Sequence, residues 1–235
     1  NSDSAKWLPQ KPNIFEIDLW LAGNYSLAKC VKHNSKRSVY ALYSSPQAAP
    51  SYYLKYDHPN ESWDAWRSRL RPKVLGEFRV LAMLHEKGIP AVLPVVCGWS
   101  SGQGVLATIA LNDSFTIEDL WPQVHEDEKR RVRLLKGLAI LLKSMLEAKI
   151  FHPDLHFGNI LAVEERKITR CVLVDVHGVK ARRKLFLRHK MMMLRMLAGL
   201  LYDIDHREIK KLLQPLFPIA DSIYLENIWQ DIIHS

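Results

Sequence analysis

The chain has 235 residues, 48% of them hydrophobic and 25% charged, which is the balance of an ordinary globular protein. That length suits one large domain or two lobes with a core that needs no disulfide or metal staple, and it excludes wholesale disorder and collagen-like repeats. Thirty-three Lys and Arg against 25 Asp and Glu leave a net charge of +8, so the expected partners are anionic: phosphates, acidic lipid or nucleic acid.

In chain order, residues 26–57 read as strands. Ser26–Lys32 and Ser38–Ser44 flank the turn-like His33–Arg37, and a third run, Ser51–Tyr56, follows the Pro/Ala/Ser-rich stretch 45–51. From Pro72 to Lys87 the period turns helical, with Val74, Phe78, Leu81 and His85 on one face and Gly88 and Pro90 as the stop. Leu93–Trp99 and Val105–Leu111 read as two further strands joined by Ser100–Gly104. After Asn112-Asp113-Ser114 comes a short helical turn, Thr116–Leu120. A long amphipathic helix, Glu126–Lys149, follows, with Val132, Leu135, Leu138, Leu142 and Met145 in its stripe. Asn159–Val163 and Cys171–Val176 read as strands around a polar turn. A basic helix over about 181–202 and shorter ones near 206–214 and 219–233 complete the chain. The expected class is α+β, with an antiparallel sheet and one helix in 1–111 and a mostly helical 112–235.

Cys30, Cys97 and Cys171 are widely spaced and odd in number, which fits neither a disulfide framework nor a CxxC zinc site and favours a reducing compartment. No apolar run approaches the ~20 residues of a membrane span; even 191–202 is broken by Arg195. No secretory leader is recognised. The bulk composition reads as a soluble, cytosolic, basic protein.

The chemistry concentrates in Phe151-His152-Pro153-Asp154-Leu155-His156-Phe157-Gly158-Asn159, between the long helix and an apolar strand. Asp154 and Asn159 are five apart, the spacing at which a kinase catalytic loop places a carboxylate for the attacking hydroxyl and an amide oxygen for Mg²⁺. Sixteen residues after Asn159, the run Val172-Val174 delivers Asp175, a second hard oxygen ligand. Upstream, Lys55 lies in the third strand and Glu77 on the helix after it, a pair able to position the α- and β-phosphates of ATP. Read singly, Lys55 is a solvated strand lysine and Glu77 a surface residue at the edge of an apolar stripe.

These residues, with Tyr52-Tyr53-Leu54-Lys55, Gly76-Glu77-Phe78-Arg79, Thr116-Ile117-Glu118-Asp119-Leu120 and Asp175-Val176-His177, resemble the bacterial lipopolysaccharide kinases from about Ala28 to Leu201. Those are protein-kinase-like enzymes that phosphorylate heptose or Kdo sugars of the lipopolysaccharide inner core. The resemblance implies a two-lobed kinase-like fold with ATP and Mg²⁺ between the lobes. It makes Asp154 the catalytic carboxylate, Asn159 and Asp175 the metal ligands, and Lys55 and Glu77 the phosphate-positioning pair. It also implies a cytoplasmic protein, peripheral to the inner face of the inner membrane.

The sequence departs from the protein-kinase pattern in four places. No G-x-G-x-x-G loop joins the first two strands; the turn is His33–Arg37, where backbone amides and Lys36 or Arg37 could still cover the phosphates. Tyr53 is bulky where a small residue faces adenine, and Pro153 replaces the arginine before the catalytic Asp. No Ala-Pro-Glu segment follows Asp175, and a helix is expected within about six residues, which argues against a protein substrate.

Other readings stay open. The catalytic loop alone also suits aminoglycoside or choline phosphotransferases, and the missing glycine loop suits a non-enzymatic pseudokinase. A nucleic-acid binder lacks any base-reading or stacking motif. Zinc on His152, His156 and His177 is disfavoured, because H-x-x-x-H needs a helix and Pro153 and Gly158 argue for a loop, with histidines that brace it instead. The basic stretch Lys180, Arg182, Arg183, Lys184, Arg188, Lys190 and Arg195 is either a solvated face or a docking surface for anionic glycolipid. Trp63 and Trp66 are candidates for exposure on a polar segment.

Overall fold

The computed structural model describes residues 27–58, 73–100, 103–165 and 167–194. Trp63, Trp66, Arg195, the end of the expected basic helix and the helices expected near 206–214 and 219–233 lie outside the described residues. The chain divides into two compact units, one of residues 1–83 and 92–112, the other of 84–91 and 113–235.

The first unit carries five antiparallel strands: β1 (Ala28–His33), β2 (Arg37–Tyr43), β3 (Pro50–Asp57), β4 (Pro94–Ser100) and β5 (Gln103–Ile109). Their order across the sheet is β1-β2-β3-β5-β4, so β3 is central. Its alternation is strict: Tyr52, Leu54 and Tyr56 are buried with Leu42, Val105 and Ala107 on one face. Tyr53, Lys55 and Asp57 consequently stand on the other face. Lys55 pairs with Val39 of β2 and Leu106 of β5, which fixes its height in the sheet.

The helix α1 (Lys73–Glu86) ends before Gly88, whose φ of +69° suits a residue without Cβ; the Ile89 amide donates to the Leu84 carbonyl across that stop. Its buried positions are Val74, Glu77, Leu81 and Leu84, while Phe78 is half-buried and His85 exposed. The stripe is therefore rotated from the expected one, and a glutamate occupies its centre. Periodicity alone misplaces it, because a carboxylate enters an apolar stripe only when cations on a neighbouring element neutralise it.

The second unit is built on α3 (Glu128–Glu147), preceded by β6 (Ser114–Thr116) and α2 (Ile117–Val124). Thr116 caps α2 by accepting from the Asp119 amide at 3.1 Å, and Asp127 caps α3 by accepting from the Arg130 amide at 3.1 Å. Leu134, Leu135, Leu138, Leu141, Leu142 and Met145 of α3 are buried, each contributing roughly 1.5–3 kcal/mol. The helix packs on β9 (Thr169–Leu173), which pairs with β8 (Ile160–Glu164), which in turn pairs with β6. Gly137 is the closest point of that packing, since a Cβ there would land on the Thr169 carbonyl oxygen.

Two short strands that sequence does not reveal, β7 (Ile150–Phe151) and β10 (Lys180–Ala181), pair with each other. The basic helix α4 (Leu187–Leu194) begins twelve residues after Asp175, not six, because Lys180-Ala181 is taken up in that ladder. Residues 176–186 thus hold a turn at 177–178 and the short strand Lys180–Ala181 before the helix begins. Among the described residues no helix is long and apolar enough to cross a membrane. Cys30 is exposed and Cys171 buried, both as free thiols; burial pushes the Cys171 thiol up to about 12.

Candidate active site

In the second unit two loops are held side by side. The β7·β10 ladder pairs Ile150-Phe151 with Lys180-Ala181, and the β8·β9 hairpin pairs Ile160 with Leu173. Residues 152–159 and 174–179 span the space between these two anchors. Two hydrogen bonds join them, and two more shape the first loop from within. His152 Nε2–H donates to the Asp175 carbonyl at 2.8 Å, and His152 Nδ1 accepts from the Asp154 amide at 3.3 Å. Asn159 Nδ2 donates to the Asp154 carbonyl at 3.0 Å, while the Asn159 carbonyl accepts from the Val174 amide at 3.0 Å.

His152 is 1% exposed, and burial lowers its pKa despite the opposing pull of the Asp175 carbonyl, so the ring is neutral with its proton on Nε2. That histidine is a brace between loops, as expected, and Pro153 with Gly178 shows why the loops fit so closely. Gly178 has a φ of +76°, and a Cβ on it would meet Pro153 Cγ at 2.9 Å.

This bracing sets the three sequence-predicted residues into one neighbourhood. Asp154 is exposed, its carboxylate 3.9 Å from His156 Nε2, so it faces solvent where an acceptor can approach. Asn159 is buried, and its amide nitrogen is committed to the Asp154 carbonyl, which leaves Oδ1 as its ligand atom. Asp175 follows β9 by two residues, because β9 ends at Leu173, and its Oδ1 accepts from the His177 amide at 3.1 Å. Asn159 and Asp175 offer only oxygen donors, a set that suits a hard divalent cation keeping its remaining sites for water and phosphate. Among the described residues no group of three or more His, Cys, Asp and Glu is gathered to hold a metal, so His152, His156 and His177 form no zinc cage there.

In the first unit Lys55 Nζ donates to Glu77 Oε2 at 3.0 Å, and the side chains are 14% and 2% exposed. The pair is therefore made and largely withdrawn from water. Glu77 does not stand at the edge of the apolar stripe but inside it.

The β1–β2 turn differs from the sequence expectation. Asn34 Oδ1 accepts from the Lys36 and Arg37 amides at 2.9 and 2.8 Å, so its side chain closes the turn and takes those two donors. Arg37 is also engaged. Its Nε and Nη2 donate to Asp57 Oδ1 and Oδ2 at 2.5 and 3.2 Å, and its Nη1 donates to Glu77 Oε1 at 2.6 Å. Those amides and the Arg37 guanidinium are thus engaged within the protein, while the Lys36 side chain is exposed. Asp57 and the inward role of Arg37 were not anticipated from sequence. The available signal was register: Arg37 pairs with Asp57 and Val39 with Lys55, so all four stand on one face of the sheet.

Comparison with known proteins agrees with this architecture. No curated protein matches the sequence. Among solved structures, a crystal structure of WbdD superimposes with a TM-score of 0.57 at 14% identity, over 86% of this chain and 50% of that one. A second structure, of the bifunctional kinase-methyltransferase WbdD, gives 0.57 at 15% identity over 84% and 47%. The chain spans about half the length of these structures, and the likeness is one of fold, a kinase-like α+β fold. The profile of the lipopolysaccharide kinase (Kdo/WaaP) family matches residues 31–211, which takes in the Lys55–Glu77 pair and both braced loops. The chain belongs to that family.

Proposed function

We propose that this protein transfers the γ-phosphoryl group of ATP, with Mg²⁺, to a sugar hydroxyl of the lipopolysaccharide inner core, heptose or Kdo. The observation that carries the reading is the buried Lys55–Glu77 ion pair at 3.0 Å. A solvated lysine and a surface glutamate would not be drawn together at 2% exposure of the carboxylate, whereas a phosphate-binding lysine needs such a partner to aim it.

In this reading Asp154 orients the acceptor hydroxyl and takes its proton as the new O–P bond forms. Its exposure leaves it accessible to a bulky sugar. Asn159 Oδ1 and the Asp175 carboxylate would hold the metal, and Lys55 would bind the α- and β-phosphates. A divalent cation held there would supply neutralisation of the charge that builds on the transferred group. His152 keeps the two loops in register throughout. Because such transfer depends on positioning and charge, Lys55 and the metal-holding residues matter as much as Asp154. The same reading places the protein on the cytoplasmic side, where ATP is available, against an anionic membrane surface.

The test is mass spectrometry of purified core oligosaccharide incubated with the protein, ATP and Mg²⁺. Gain of one phosphate supports the reading. Phosphorylation of soluble aminoglycosides or choline instead would move the protein to the small-molecule phosphotransferases, and failure to bind Mg²⁺-nucleotide would make it a scaffold.

A further inference from the structure

The Glu77 carboxylate is shared between two cations, and only one of them has a role in the reading above. Lys55 Nζ donates to Oε2 at 3.0 Å; Arg37 Nη1 donates to Oε1 at 2.6 Å. Arg37 is itself held by a two-point fork on Asp57, whose side chain is 16% exposed. The register explains why these groups meet. Arg37 and Asp57 are cross-strand partners, Val39 and Lys55 the pair two residues along, and the period of two puts Arg37, Asp57 and Lys55 on one face. Glu77, at a buried position of α1, reaches that face.

We propose that Arg37 is a positioning residue for the phosphate-binding lysine, holding one Glu77 oxygen so that the carboxylate presents only its other oxygen to Lys55. This rests on the reading of Lys55 as a ligand of ATP phosphates. A buried carboxylate facing a single ammonium would turn both oxygens toward it, and its whole charge would compete with phosphate for the lysine. With Arg37 on Oε1, the competing charge is divided, and that oxygen is held by one charge-assisted hydrogen bond from Nη1 of a guanidinium whose other edge is forked on Asp57. The Asp57 fork fixes the guanidinium in turn, so the orientation is set by the sheet rather than by the nucleotide. Burial alone would weaken the hold of Arg37 on its proton. The Asp57 hydrogen bond and the charges of Glu77 and Asp57 outweigh it, and the guanidinium stays cationic.

The experiment is calorimetric titration of Mg²⁺-ATP into the wild type, Arg37→Met, Arg37→Lys, Glu77→Gln and the Arg37→Met/Glu77→Gln double variant. Each protein is also checked by thermal melting, and KM for ATP is measured beside kcat. Arg37→Met should weaken nucleotide binding about 10-fold, the scale of one charge-assisted hydrogen bond, and raise KM for ATP while KM for the sugar stays put. Arg37→Lys keeps the charge without the fork and should recover only part of the loss. In the double variant Arg37→Met should add nothing to Glu77→Gln, since its effect passes through that carboxylate. A folded Arg37→Met protein with wild-type affinity, or losses that multiply in the double variant, would overturn the proposal and leave the Lys55 reading standing. A wild type that binds no Mg²⁺-ATP would overturn that reading and the proposal with it. If Arg37→Met does not fold, Arg37→Lys decides: unchanged affinity overturns the proposal, and a loss that vanishes on the Glu77→Gln background supports it.

Discussion

His152 ties two functional loops together from a buried position, and its removal has a cost that can be worked from the geometry. His152→Ala leaves the Asp175 carbonyl without its 2.8 Å donor and empties the space of a ring that is 1% exposed. Loss of that hydrogen bond and a partly collapsed void together cost roughly 2–4 kcal/mol. The same ring predicts a pH dependence. Burial lowers its pKa below the ordinary 6.5, so on acidification the unfolded chain takes up the proton first. Stability should therefore be unaffected by His152 above 6.5, fall as pH drops through the interval below it, and level off beneath the folded pKa. The slope contributed in that interval is at most about 1.4 kcal/mol per pH unit. His152→Gln keeps an N–H donor but cannot titrate, so its acid slope should be shallower. His189, lowered by burial and then by Arg188 and Arg182, acts in the same direction in both proteins, and the comparison cancels it. The assay is urea unfolding of wild type and variants between about pH 7.5 and 5, read as midpoint and m-value. Coincident slopes for wild type and His152→Gln, or a cost under about 1 kcal/mol for His152→Ala, would refute the buried neutral brace.

Gly137→Ala should destabilise the protein by about 1–3 kcal/mol, seen in the same urea assay, because the new methyl meets backbone at Thr169 that cannot turn aside. Asp154→Asn should lower kcat by about 10²–10⁴-fold with nucleotide affinity nearly unchanged, since the carboxylate acts on the acceptor hydroxyl; single-turnover kinetics with core oligosaccharide check it. Asn159→Ala and Asp175→Ala should each weaken nucleotide binding only when Mg²⁺ is present, which titration with and without the metal measures. Arg182, Arg183 and Arg188 are exposed, with Arg188 and Lys184 each 5.8 Å from the exposed Phe186 ring. Reversing the three arginine charges should raise KM for acceptor in lipopolysaccharide vesicles at low salt, and the difference should shrink toward 1 M, where the Debye length is about 3 Å. An unchanged KM at low salt would return this stretch to an ordinary solvated face.

Much of this protein was readable from residue order, because the signals were local. Alternation placed Lys55 in a strand, Gly88 and Pro90 stopped a helix, and the five-residue interval from Asp154 to Asn159 survives any packing. Helix phase was misread, since Val74, Phe78, Leu81 and His85 are as good a stripe as the real one until Glu77 is seen between Lys55 and Arg37. The late start of the basic helix followed from a two-residue ladder, Ile150-Phe151 with Lys180-Ala181, too short to leave a pattern in sequence. Arg37 was free to cover phosphate on paper; strand register turned it inward to Asp57 and Glu77, and Asn34 took the turn amides. Period and spacing depend on neighbours in the chain, so the sequence determines them by itself. Which charge meets which buried carboxylate depends on residues 20 and 40 positions apart, and only tertiary structure brings those together.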